Sequence, residues 1–182
     1  MEGLLLAAGA GRRMGKPKAL VADDDGPWLL RGVRTLTEGG CDRVTVVVGA
    51  AADVTAPLLE GSGASVVVAD DWREGMGASL RAGLRSLAGS TDDGALVLLV
   101  DLPDLVPGVV ERVIAAGDGP AALVRASYDG RPGHPVLLGR DHWAGVIETA
   151  VGDQGARSYL AQHDVVVVEC GDLATGRDVD SL

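Results

Sequence analysis

Four cations, Arg12, Arg13, Lys16 and Lys18, fall within one short glycine-rich stretch, Leu6-Ala7-Ala8-Gly9-Ala10-Gly11-Arg12-Arg13-Met14-Gly15-Lys16-Pro17-Lys18. Glycine lets backbone N–H groups approach a ligand closely, and Arg and Lys bind phosphate oxygens, so the stretch reads as a polyphosphate cradle. Two common phosphate loops do not fit it. A Walker loop needs a glycine where Ala10 stands and Ser or Thr where Pro17 follows Lys16. The dinucleotide fingerprint fails too, because Arg12, Arg13 and Met14 separate Gly11 from Gly15, and Pro17 delays any helix that could face a pyrophosphate.

A second chemical feature is Asp101, which directly follows the apolar run Ala95-Leu96-Val97-Leu98-Leu99-Val100. A carboxylate at the end of a buried strand is costly unless compensated, and a divalent cation bridging it to ligand phosphates would compensate it. Asp101 is therefore a metal-ligand candidate, and its removal is expected to relieve repulsion in an empty site. Asp104 is better placed to cap the following helix. Near the end of the chain, Asp178 and Asp180 share one side of an extended segment, so one or both could face the same metal. His134 lies in a bend between Gly133 and Pro135, where it either satisfies backbone carbonyls or donates to a ligand.

These residues need a scaffold, and the sequence supplies alternating elements. Short apolar runs at 3–8, 43–48, 65–69, 95–100, 121–126 and 165–169 predict strands buried on both faces. Apolar spacing of three and four predicts helices at 28–37, 52–59, 78–88 and 107–116, with shorter helical stretches at 141–150 and 155–163. Gly130, Pro132, Gly133 and Pro135 make 128–138 an irregular strand pair or loop. The alternation predicts a three-layer α/β/α, Rossmann-like fold with a mainly parallel sheet, one domain spanning 1–182. Ligands of such sheets collect at the carboxyl ends of the strands, where the loop after the first run and Asp101 both lie. Asp23-Asp24-Asp25 reads as a solvated turn, and Trp28, Trp72 and Trp143 as large apolar fillers, with Trp72 nearest the proposed ligand.

Composition sets limits. The 182 residues carry a formal charge of −10, so the average surface repels nucleic-acid backbones and anionic membranes, and any anionic ligand must meet a local cationic cluster or a metal. Hydrophobic residues make up 47% of the chain, which excludes a disordered tail, while the interspersed charges exclude a membrane span. Two distant cysteines, Cys41 and Cys170, suit a reduced cytoplasm, and the start of the chain shows no export signal.

The loop from Leu6 to Lys18 resembles the signature of nucleoside-triphosphate transferases, and within them the MobA-like molybdenum cofactor cytidylyltransferase group and its guanylyltransferase relatives. Four further segments carry the resemblance: Trp72-Arg73-Glu74-Gly75-Met76-Gly77-Ala78-Ser79-Leu80, Asp101-Leu102-Pro103, Gly133-His134-Pro135-Val136 and Gly152-Asp153-Gln154-Gly155-Ala156-Arg157, with Asp178-Val179-Asp180 after them. It implies that Gly9, Gly11 and Gly15 wrap a triphosphate, that Arg13 neutralises the departing pyrophosphate, and that Lys18 meets the α-phosphoryl oxygens. Asp101 and Asp180 would hold Mg²⁺. Leu6, Ala7, Ala8 and Ser79 would form the base pocket, and Ala8, where guanylyl-transferring relatives tend to carry glycine, favours CTP over GTP. His134 and Arg157 would contact a phosphorylated acceptor, molybdopterin or molybdenum cofactor, whose product passes to a recipient molybdoenzyme. No catalytic histidine is needed, because transfer to a phosphate rests on alignment and electrostatic stabilisation. Two alternatives stay open: guanylyl transfer to the same cofactor or to a phospholactate-like acid, and a non-catalytic cofactor chaperone.

Overall fold

The computed structural model describes residues 1–179. The central sheet has seven strands: β1 (Glu2–Leu6), β4 (Arg43–Val48), β5 (Ser65–Val68), β6 (Gly94–Leu99), β7 (Leu123–Tyr128), β8 (Arg131–Gly139) and β9 (Val166–Glu169). Their order is β5-β4-β1-β6-β8-β7-β9, and β8 alone runs against the rest. Between β1 and β4 stand a two-strand ribbon, β2 (Ala22–Asp23) and β3 (Gly26–Pro27), and helix α1 (Trp28–Glu38). The other helices are α2 (Ala52–Leu58), α3 (Met76–Ser86), α4 (Pro107–Ala115), α5 (Arg140–Thr149) and α6 (Arg157–Leu160).

Side chains alternate across β1, which splits the core in two. Leu5 and Ala7 join Trp28, Val33, Val109 and Val113 on one face, while Leu4 and Leu6 join Leu80, Leu84, Trp143 and Val146 on the other. The arrangement is the expected three-layer α/β/α fold. Two glycines set how tightly the layers close: a Cβ on Gly32 of α1 would stand 2.9 Å from Leu5, and one on Gly83 of α3 would stand 2.7 Å from Leu4. Both helices therefore press on β1 itself. Leu4 and Leu5 are fully buried, so truncating either to alanine costs about 2–5 kcal/mol.

Two expectations change, and one takes a definite form. Strands β5 and β9 are not covered on both faces; as the sheet's edges they leave Val68 51% and Val167 57% exposed. The 128–138 stretch, expected as an irregular strand pair or loop, is the turn and β8 arm of an antiparallel β7–β8 hairpin, irregular through a register shift between Arg125 and Ser127. Asp23 is more than a solvated turn residue: it accepts from Trp28 Nε1 at 2.8 Å and pairs with Arg31, fixing the ribbon to α1. Among the described residues no helix is long and apolar enough to cross a membrane.

Candidate active site

Strand β1 pairs in parallel with β4 on one side and β6 on the other, and the chain passes from β1 to β4 and β5 before returning to β6. The crevice between β1 and β6 is thus the switch point of the sheet, the place where an open α/β sheet binds ligands. Residues leaving both strands meet there. Lys18 Nζ donates to Asp101 Oδ2 at 2.6 Å, with side chains only 17% and 16% exposed. Lys18 is aimed by a short 3-10 turn, Lys18–Leu20, anchored through fully buried Ala19 and closed by Val21 N–H donating to Lys18 O at 3.1 Å. Asp101 is therefore compensated by a lysine, which corrects the expectation that acidic repulsion dominates the empty site.

The loop between β1 and Lys18 has a fixed shape. Gly11 has φ +58°, and a Cβ there would lie 1.9 Å from Lys16 O, so only glycine lets the loop fold back on itself. Gly15 also has positive φ, whereas Gly9 is exposed with open space where a Cβ would stand. Arg13 lies on the exposed outer part of this loop. At its base Ala7 N–H donates to Val47 O and Ala8 O accepts from Ala50 N–H, locking the loop to the end of β4. The buried methyl of Ala8 faces Gly49 beside Trp72, since a Cβ on Gly49 would stand 2.8 Å from both. Ser79 is buried in α3, whose neighbouring Met76 and Leu80 face an adjoining cavity.

The C-terminal segment is tied down stepwise toward Asp101. Arg112 grips Asp172 with two bonds, Asp104 Oδ2 accepts from Thr175 N–H and Oγ1 at 2.7 and 2.6 Å, and Gly176 lies against the Tyr128 ring. Val179 N–H then donates to Asp101 O at 3.0 Å, so Asp178 sits next to a residue bonded to the candidate metal ligand. Asp180 lies outside the described residues. Asp104 does not cap α4, whose N-terminus at Val106 has no side-chain cap; it holds the C-terminal segment instead, and its Oδ1 is buried without a partner among the described residues. Among the described residues no group of three or more His, Cys, Asp or Glu could hold a metal alone. Asp101 is one carboxylate at this point, and a divalent cation there would draw its other oxygens from elsewhere, such as substrate phosphates.

The structure places His134 and Arg157 at one cavity. Both line a cavity of about 70 Å³ walled by Leu6, Leu80, Val136 and Leu160. Tyr128 donates its hydroxyl to His134 O at 2.6 Å and so fixes the bend, which contains a cis His134–Pro135 peptide. Burial, then the charges of Arg125 and Arg157, lower the His134 pKa to about 4, so the imidazole is neutral near pH 7. Arg125 lines the same cavity and was not anticipated from the sequence, although an arginine inside an otherwise apolar strand was a visible signal. Arg81 reaches Asp71, Glu74 and Ala150 O, pinning the turn Trp72–Glu74 to α3 and the end of α5.

A cationic glycine loop meeting an aspartate at the switch point of a parallel sheet defines an α/β site for the phosphates of a nucleotide. The chain belongs to the MobA-like NTP transferase domain family, whose model matches residues 3–166. Over 192 aligned residues it is 36% identical to nicotine blue oxidoreductase of Paenarthrobacter nicotinovorans, covering 100% of this chain and 93% of that protein. It is 31% identical over 149 residues to molybdenum cofactor guanylyltransferase of Rhodobacter capsulatus, covering 81% of this chain and 67% of that one. Its fold is similar to the crystal structure of Rv0371c from Mycobacterium tuberculosis, with TM-score 0.83, 26% identity and coverage of 100% and 93%.

Proposed function

We propose that this protein transfers a nucleoside monophosphate from a triphosphate, CTP by preference, to a phosphorylated acceptor of the molybdenum cofactor class, releasing pyrophosphate. The observation that carries the reading is Lys18 on Asp101 at the β1–β6 switch point, directly behind a cationic glycine loop. In this reading backbone N–H groups at Gly9, Gly11 and Gly15 surround the triphosphate, and Arg13 faces its β/γ end. Lys18 exchanges its bond to Asp101 for the α-phosphoryl oxygens, where negative charge builds. An acceptor phosphate oxygen bonds to the α-phosphorus as the α–β bridging bond breaks, and pyrophosphate leaves with that electron pair. The attacking oxygen is already ionised at neutral pH, so no protein base takes part. Asp101 and Asp180 would hold Mg²⁺, which supplies charge compensation to the phosphate oxygens.

Leu6, Ala7, Ala8 and Ser79 are assigned to the base side; the preference for CTP rests on alanine at position 8, where guanylyl-transferring relatives tend to carry glycine. His134 and Arg157 are assigned to the acceptor. Thermal-shift measurements with CTP, GTP, ATP and UTP plus Mg²⁺ test the donor, since a ligand that binds only the folded state raises its melting temperature. Pyrophosphate release with molybdopterin-type acceptors tests the transfer. The largest shift with CTP and release of one pyrophosphate per acceptor are expected; a larger GTP shift assigns guanylyl transfer instead, and binding without release assigns a carrier.

The 36% identity to nicotine blue oxidoreductase favours a second reading, in which the chain carries out an oxidation–reduction rather than a nucleotidyl transfer. Redox turnover of nicotine blue, with no pyrophosphate released from any NTP, would select that reading.

A further inference from the structure

The cavity beside the proposed transfer site is lined by Arg125 and Arg157, and neither residues 9–18 nor Asp101 lines it. Arg125 projects from β7 at the register shift, half-buried, and commits only Nε, to Gly133 O at 3.2 Å. Among the described residues neither arginine has a carboxylate within ion-pair distance, whereas Arg31, Arg43, Arg81 and Arg112 each reach one. Asp153 also lines the cavity, but its carboxylate stands against Gly75 on the α3 side.

Two guanidinium groups sharing a partly dry wall destabilise each other. Burial and then the charge of Arg157 pull the Arg125 pKa below its ordinary value. A cation held at that cost is compensated by an incoming anion, and the planar guanidinium fork matches the paired oxygens of an oxyanion. The remaining walls, Leu6, Val97, Val136 and Leu160, are apolar.

We propose that Arg125 and Arg157 form an oxyanion subsite separate from the phosphate that receives the nucleotidyl group, so the acceptor is an apolar or aromatic body carrying a second anionic group. The word acceptor rests on the transferase reading; the subsite itself does not. One anion lies in the β1–β6 crevice and the other against the arginine pair, with the apolar body between them fixing which end reacts.

The test is isothermal titration of the full chain with phenyl phosphate and with inorganic phosphate, in the absence of nucleotide and metal. Phenyl phosphate is expected to bind more tightly than inorganic phosphate, and its affinity is expected to fall at least about tenfold in Arg125→Gln and in Arg157→Gln. Arg157 is exposed, so its variant keeps the folded state if the Arg125 variant does not. Unchanged affinity in Arg157→Gln, or loss in Lys18→Ala with retention in Arg157→Gln, overturns the subsite. Pyrophosphate is not read in this experiment, so failure of the transferase reading leaves its result unaltered.

Discussion

Lys18 and Asp101, 83 positions apart in the chain, meet at 2.6 Å where β1 and β6 end side by side. The pair joins the cationic loop to the acidic turn, and it means that each charge is compensated before any ligand arrives. Loss of either partner removes a charged hydrogen bond from a partly buried group.

Asp101→Ala and Asp101→Asn should therefore both lose metal-dependent turnover while also losing stability, by about 1–3 kcal/mol, because the Lys18 ammonium loses a charged hydrogen bond. Denaturant unfolding checks this. The double variant Lys18→Met/Asp101→Ala should recover part of the loss; simple additivity of the two single effects would show that the pair contributes nothing.

Gly9 and Gly11 separate ligand contact from loop geometry. Gly11→Ala is expected to disturb the loop, since its φ is +58° and Lys16 O occupies the Cβ position. Gly9→Ala meets open space, so the melting temperature should stay within about 1 °C, while on the proposed reading nucleotide affinity falls, because the methyl would stand where the triphosphate is proposed to bind. Unchanged affinity in Gly9→Ala would remove that residue from the cradle.

Tyr128 joins the acceptor bend to the C-terminal segment. Its hydroxyl donates to His134 O, and its ring packs on Gly133 and Gly176. Tyr128→Phe should raise KM for the acceptor several-fold and leave metal activation alone. Gly176→Ala, which forces a Cβ within 2.1 Å of that ring, should instead raise the Mn²⁺ or Mg²⁺ concentration needed for half-maximal rate. Identical profiles in the two variants would deny separate roles.

His134 gives a pH signature. Burial first, then the facing charges of Arg125 and Arg157, lower its pKa from 6.5 to about 4. The unfolded chain then binds more protons than the folded one between those values, so this residue makes stability rise with pH from about 4 to 6.5 and adds nothing further above. Replacing it with glutamine should flatten the melting temperature in that window. An NMR titration should place the imidazole midpoint near 4; a midpoint at 6.5 would show that neither burial nor the arginines act on it.

Much of the scaffold was legible because buried parallel strands are nearly continuous apolar runs: β4 falls at residues 43–48 as the pattern indicates. The exposure of β5 and β9 was not, since the same valine-rich pattern describes a strand at a sheet's edge, and neighbour order is set by topology rather than composition. For the site, the loop and Asp101 could be found from residue type, and His134 with Arg157 from the family resemblance. The ion pair between Lys18 and Asp101 could not, because it depends on β1 and β6 being adjacent. Arg125 is a visible charge inside an apolar run, but its nearness to Arg157 is not legible, because it depends on the fold bringing β7 and α6 to one cavity. Asp104 looked like a helix cap from spacing alone, whereas tertiary packing assigns it to Thr175.

The most direct test of the central claim is a single-turnover measurement of pyrophosphate release with CTP, Mg²⁺ and a molybdopterin-type acceptor, comparing wild type with Lys18→Ala. The account predicts a fall in the rate of chemistry of about 10²-fold or more, with nucleotide affinity changed far less, because the ammonium acts on charge that develops only in the transition state. An equal loss of affinity and rate, or a variant that releases pyrophosphate as fast as wild type, would contradict it.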